Sequence, residues 1–294
     1  MPPIFLAGPT AVGKSAVALE LAERLGGEII SVDSMQVYQG MDIGTAKPSA
    51  EDRRRVRHHL IDIITLKECF DAAQFIQRAG LAARDIEARG RRAIFCGGTG
   101  LYFKACLEGL GPTPARDAAL RAELESAPLE RLLEELAQRD PAAFQAIDRQ
   151  NPRRVIRALE IIRLTGQPVS AQRAPWSNPP AACAGMIGLA RPASELVERI
   201  HQRVDEMFRR GLVAETESLL AQGLADNPTA MQALGYRQVV EHLRGQRNLH
   251  ETIELVKIRT RQYAKRQLTW FRRQMNLEWI TLGEGASGKL GQIL

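Results

Sequence analysis

Residues Gly8-Pro9-Thr10-Ala11-Val12-Gly13-Lys14-Ser15 fit the pattern G-x-x-x-x-G-K-[ST], and no other stretch restricts the fold of this chain as tightly. The apolar run Ile4-Phe5-Leu6-Ala7 leads into the loop. Behind it, Ala16 to Leu25 carry apolar residues at helical spacing and end at Gly26-Gly27. A strand, a glycine loop and a helix in that order turn successive backbone N–H groups around phosphate oxygens at a helix N-terminus. Lys14 adds charge there, and Ser15 offers a ligand for Mg²⁺. The architecture that presents such a loop is a parallel α/β sheet, a P-loop NTPase-like sheet with flanking helices.

The next segments repeat the rhythm. Glu28 to Val32 reads as a second strand, which places Asp33 at its carboxyl end, where open α/β sheets put their ligands. On position alone Asp33 is either a functional carboxylate or the cap of the following turn. A polar, glycine-containing loop runs from Ser34 to Pro48. His58 to Ile63 reads as a short strand, on which adjacent His58 and His59 point to opposite faces, so the pair is structural rather than metal-binding. Asp71 caps a helix running to about Arg89, and Arg92 to Cys96 form another strand ending in Gly97-Gly98-Thr99-Gly100. Thr99 offers a hydroxyl at this second strand–glycine–helix junction. A nucleotide kinase carries an acid at the end of such a strand to hold Mg²⁺, and here Cys96 and Gly97 take that place. A P-loop small-molecule or nucleotide kinase is the alternative reading, weakened by that replacement.

After Pro112-Thr113-Pro114 the pattern becomes purely helical, with helices expected over 117–126, 129–139, 141–147 and 152–165. Within this insertion Arg153, Arg154 and Arg157 fall near one helix face, with Arg163 further along and only Glu160 opposing them. A return strand is expected over 184–189, then an amphipathic helix from near Ser194 to Gly211. The helix expected from Ile253 to Met275 carries Lys257, Arg259, Arg261, Lys265, Arg266, Arg272 and Arg273 with no acid after Glu254. Lys and Arg total 40 against 34 Asp and Glu, a formal +6 that permits an anionic partner. Four scattered cysteines show no zinc spacing, and no apolar run suits a membrane span. With no signal-peptide pattern at Met1 to Phe5, the expected setting is the cytoplasm.

Taken together, these motifs resemble the bacterial tRNA dimethylallyltransferases, the isopentenyl-diphosphate:tRNA transferases. The matches are Gly8 to Ser15, Ser31 to Tyr38, Met41 to Pro48, Gly97 to Tyr102, Asn151 to Arg154, Leu234 to Arg237 and Arg266 to Phe271. They span nearly the whole chain in one order. The resemblance implies a catalytic core over 1–112 and 184–294 with a helical insertion over 113–183 that grips the anticodon stem-loop. It further implies transfer of a dimethylallyl group from dimethylallyl diphosphate to N6 of the adenosine just 3′ of the tRNA anticodon. Asp33 would be the general base, with Thr99 and Arg203 at the reacting centre and Mg²⁺ on Ser15. Gly8, Pro9, Thr10, Ala11, Val12, Gly13, Lys14 and Ser15 would hold the diphosphate. Contacts to tRNA are implied for Asp33, Ser34, Met35, Gln36, Thr99, Arg121, Arg153, Arg154, Val155, Ile156 and Arg157, and for Gln232, Ala233, Leu234, Gly235, Tyr236 and Arg237. A monomer without membrane contact is expected. The rival outside enzymology is an RNA-binding protein that keeps the phosphate loop as a relic.

Overall fold

The computed structural model describes residues 1–111, 114–172, 176 and 182–283. It forms two compact units, Met1–Leu107 with Asn178–Leu294, and Glu108–Ser177. In chain order the elements begin β1 (Ile4–Ala7), α1 (Lys14–Leu25), β2 (Glu28–Val32), α2 (Ala50–Arg55), β3 (His58–His59), α3 (Ala72–Ala88), β4 (Ala93–Gly97) and α4 (Gly100–Glu108). The helical unit carries α5 (Ala118–Ser126), α6 (Leu129–Arg139), α7 (Pro141–Ala146) and α8 (Pro152–Thr165). There follow β5 (Ala182–Ala190), α9 (Ala193–Arg209), α10 (Leu212–Ala221), α11 (Tyr236–Leu243), α12 (Leu249–Gln274) and β6 (Asn276–Thr281).

Six strands form one sheet in the order β3-β2-β4-β1-β5-β6, and every pairing is parallel. Its central strands are apolar on both faces because crossover helices cover both. Phe5, Ala7, Ile30, Val32 and Phe95 point to one core, where Phe75 and Ile86 of α3 and Phe271 of α12 pack. Ile4, Leu6, Ile29, Ile94 and Cys96 point to the other, covered by Val17, Ala18 and Leu21 of α1. Each large apolar side chain buried this way contributes about 1.5–3 kcal/mol before the entropy of ordering is subtracted. Strand order reverses about β1, so the loops after β1, β2 and β4 meet at one sheet edge.

Most expected elements fall within a residue or two of their observed bounds, the usual fraying distance. Asp71 caps α3 by accepting a hydrogen bond from Gln74 N. Several differences are larger. The strand expected over 58–63 ends at His59, since Leu60 and Asp62 take left-handed φ values of 61° and 58°. Helices α10 and α11 lie where no element was expected. Helix α12 starts at Leu249 rather than near Ile253, because Asn248 and Glu251 form a capping box that sets its first turn. Strand β6 was absent from the sequence-based expectation. Leu277 and Ile280 are its buried residues, too few to reveal a strand until β5 supplies the parallel partner.

In the helical unit, α5, α6 and α8 bury Leu124, Leu132, Leu136, Val155, Ile156, Leu159 and Ile162 in a core of their own. Asp140 caps α7 through Ala143 N at 2.9 Å and also accepts from Ser170 N at 2.8 Å. Among the described residues no helix is long and apolar enough to cross a membrane.

Candidate active site

The glycine loop after β1 closes into a cradle at the N-terminus of α1. Gly13, the residue before the helix, has φ 110°, a left-handed conformation in which a Cβ would cost roughly 1–2 kcal/mol. Side chains hold the loop from outside. Arg191 Nε donates to the Val12 carbonyl at 2.7 Å and Arg199 Nε to the Ala11 carbonyl at 2.9 Å. Lys14 Nζ folds back to donate to the Pro9 carbonyl at 2.8 Å. That bond is the kind an incoming anion replaces, because a lysine ammonium is a mobile point charge with three donors.

Above the loop lies a cavity of about 390 Å³. Thr10, Lys14 and Ser15 form its floor, and Asp33, Ser34 and Met35 stand on one wall. Val256, Thr260, Tyr263 and Gln267 of α12 share one helix stripe and form another wall, with Arg203, Val204 and Met207 contributed by α9. Asp33 caps a turn and also faces the cavity. Its Oδ1 accepts from Met35 N at 2.8 Å and Gln36 N at 3.3 Å, capping the turn, while the carboxylate lines the cavity. Thr99 is one step back. Its Oγ1 accepts from Ser34 N at 3.2 Å and so ties the β4 loop to the Asp33 wall. Gln36 braces the same wall, accepting from Ser31 Oγ at 2.8 Å and donating to the Thr45 and Ala46 carbonyls at 3.2 and 3.3 Å.

Burial shapes the electrostatics. It lowers the Lys14 pKa to about 8, with Arg203 pulling the same way and Cys96 and Asp33 partly offsetting. Burial also depresses the Arg203 pKa, opposed by the attraction of Asp33. The Cys96 thiol is pushed up to about 11 by desolvation. Burial first, then the nearby Asp33 charge, raises Tyr263 and keeps it neutral. Two cations and a carboxylate thus face one enclosed space, and charge there is worth more than in water.

The remaining expected residues divide. Gln232, Ala233 and Leu234 line the cavity, but Tyr236 is fully buried and Arg237 is exposed and paired with Glu241 at 3.2 Å. Tyr236 acts inward, donating to Glu215 at 2.6 Å and accepting from Gly44 N at 3.2 Å. In the helical unit Arg153 and Arg154 are exposed, whereas Val155 and Ile156 belong to the core. Arg157 donates to the fully buried Glu160 at 2.7 Å, and Arg121 lies 3.6 Å from the same carboxylate. Arg163 reaches Glu135 at 2.6 Å and Glu123 at 2.7 Å. The basic face of α8 is therefore partly neutralised by acids from α5 and α6, which spacing along one helix could not reveal. Two residues hold the site's loops through partners too distant in sequence for spacing to reveal. Gln267 bonds the phosphate loop, and Glu215 collects the backbone of residues 42–44.

A glycine cradle at a helix N-terminus, a parallel sheet whose order reverses and a carboxylate on the neighbouring strand end define a P-loop-like α/β protein. The IPP transferase family model matches residues 36–274, and the chain belongs to that family. It is 47% identical over 283 residues to a tRNA dimethylallyltransferase of Geobacter metallireducens, covering 94% of this chain and 91% of that protein. The crystal structure of the tRNA isopentenylpyrophosphate transferase of Bacillus halodurans is similar at TM-score 0.69 and 41% identity, over 99% of this chain and 97% of that one. A eukaryotic dimethylallyltransferase acting on tRNA aligns at TM-score 0.79 and 27% identity, over 99% of this chain and 76% of the other.

Proposed function

We propose that this prenyltransferase moves a dimethylallyl group from dimethylallyl diphosphate to N6 of the adenosine immediately 3′ of a tRNA anticodon, releasing diphosphate. The observation that carries the reading is the shared cavity: Lys14 and Ser15 on its floor, Arg203 and Asp33 on its walls, and Cys96 with Gly97 where a kinase would hold an acid. Names of relatives add the acceptor, tRNA.

In this mechanism the N–H groups of the phosphate loop bind the diphosphate, and Lys14 exchanges its bond to Pro9 for one to a phosphate oxygen. As the allylic C–O bond breaks, negative charge grows on the leaving oxygen. Lys14 and Arg203, fixed beforehand, lower the energy of that charge. The adenine N6 forms the new bond to the allylic carbon and gives up a proton to Asp33. An aromatic amine is a weak nucleophile, so a positioned base contributes on the order of 10²–10⁴-fold. Thr99, bonded to Ser34 N, sets the wall against which the amine lies. Ser15 would hold Mg²⁺, which would supply further charge neutralisation. Ser15 suits it, since Mg²⁺ takes few protein ligands beside phosphates and water.

A stacked base cannot enter an enclosed cavity, so the adenosine is extruded from its loop. Ser34, Met35 and Gln36 on one side and Gln232 to Leu234 on the other receive it. Arg153 and Arg154 on the exposed face of α8 meet the phosphate backbone. The test is incubation with labelled dimethylallyl diphosphate and total tRNA, followed by nucleoside analysis. Label in N6-dimethylallyladenosine is expected. ATP turnover without incorporation of label would overturn the reading in favour of a kinase.

A further inference from the structure

Strands β1 and β4 pair in register until Ala7 and Gly97, and beyond that point their loops separate. One loop becomes the phosphate cradle, and the other leads to Thr99. A single side chain spans the gap. Gln267, buried on α12, accepts a hydrogen bond from Thr10 N at 2.9 Å and donates one to the Gly98 carbonyl at 2.9 Å. Among the described residues no other side chain has hydrogen bonds to both loops. A Cβ on Gly98 would stand 2.3 Å from Gln267 Nε2, so a side chain there would push the amide aside.

A primary amide is suited to this place because it presents an acceptor and a donor side by side. A carboxylate could only accept, and a lysine or arginine could only donate. The bond from Thr10 also takes that N–H away from the cradle, leaving the later N–H groups of the loop to face an anion. Two loops untethered at their tips would have to be ordered when the donor binds, and that cost would appear as lost affinity.

We propose that Gln267 is a positioning residue for the donor: it fixes the phosphate loop relative to the Thr99 loop, holding the diphosphate floor and the acceptor wall at one separation across the reacting bond. The inference rests on the diphosphate reading above and extends it to a residue on a distant helix.

The experiment is calorimetric titration of inorganic pyrophosphate with Mg²⁺ into the full chain and into Gln267→Met and Gln267→Glu. A parallel titration uses an anticodon stem-loop, and KM and kcat are measured for dimethylallyl diphosphate. Met keeps the volume and loses both bonds, while Glu keeps the acceptor for Thr10 and loses only the bond to Gly98. Pyrophosphate affinity is expected to fall about tenfold in Gln267→Met, the scale of one or two lost hydrogen bonds. A larger fall is expected in Gln267→Glu, whose carboxylate faces the Gly98 carbonyl and adds a negative charge beside the diphosphate. KM for the donor should rise with it, while stem-loop affinity stays within about twofold, a split that a general loss of folded protein would not produce. Pyrophosphate affinity unchanged in a variant that keeps the wild-type Tm overturns the inference, as does an equal loss of both affinities. Should Gln267→Met fail to fold, Gln267→Leu, also uncharged and unable to make either bond, decides in its place. Failure of the wild-type chain to bind pyrophosphate sinks the diphosphate reading itself, and this inference with it.

Discussion

Tyr236 Oη donates a 2.6 Å hydrogen bond to Glu215, and the same carboxylate accepts from the backbone N–H groups of Asp42, Ile43 and Gly44 at 3.2, 2.8 and 3.3 Å. The pair fastens the loop whose next residues, Thr45 and Ala46, line the cavity. Hydrogen bonds to a charged group are the stronger kind, and removing the acceptor leaves several donors unpaired. Glu215→Ala is expected to cost about 3 kcal/mol and Tyr236→Phe about 1–2 kcal/mol in urea unfolding. Equal, near-zero costs would show that the loop holds itself.

Asp33→Asn keeps a carbonyl oxygen for the bonds from Met35 N and Gln36 N, so the turn survives while the base is lost. Turnover should fall on the order of 10²–10⁴-fold with stem-loop and pyrophosphate affinities nearly unchanged. Retained turnover in this variant would remove Asp33 from the mechanism. Retained binding without turnover would exclude the RNA-binding rival.

Burial lowers the Lys14 pKa to about 8, so the empty site holds a charged lysine below that pH and a neutral one above it. Binding a diphosphate favours the charged form. Pyrophosphate affinity should therefore be full below pH 8 and weaken as pH rises beyond it, by up to about tenfold per unit. Lys14→Met should lack this fall, and the ratio of the two proteins removes the titration of the ligand itself. Parallel profiles would dismiss the lysine as the group responsible.

In α8, Arg154→Ala should weaken stem-loop binding and reduce the slope of log K against log salt by about 1, leaving Tm alone. Arg163→Ala should do the opposite. It removes the partner of Glu135, whose pKa the Arg163 hydrogen bond holds below its ordinary value, and so lowers Tm more than RNA affinity. Circular dichroism melts beside filter-binding assays across salt separate the two.

Cys69 is exposed, whereas the Cys96 thiol is buried with its pKa raised to about 11. At pH 8 its thiolate is roughly one part in a thousand, so iodoacetamide should alkylate Cys69 and spare Cys96 until the chain unfolds. Peptide mapping reads both. Ready labelling of Cys96 in the folded protein would mean that the cavity floor opens to solvent.

The glycine loop, the strand–helix rhythm and the strand-end position of Asp33 are legible along the chain. These depend on local chemistry: a glycine pattern, a hydrophobic period and a strand end, all written within about thirty neighbouring residues. The helical insertion is legible too, because proline and glycine signals punctuate it. Which cations are already paired depends on packing between helices. Arg163 looks like Arg154 along α8 but is engaged by acids from α5 and α6, whereas the Arg157 pair with Glu160 is already visible as an i, i+3 spacing. Spacing could not show that Gln267 reaches Thr10, 257 positions earlier, or that Glu215 gathers residues 42–44. A hydrogen bond needs its partners within about 3 Å, and for residues this far apart in sequence only the packed fold fixes that distance.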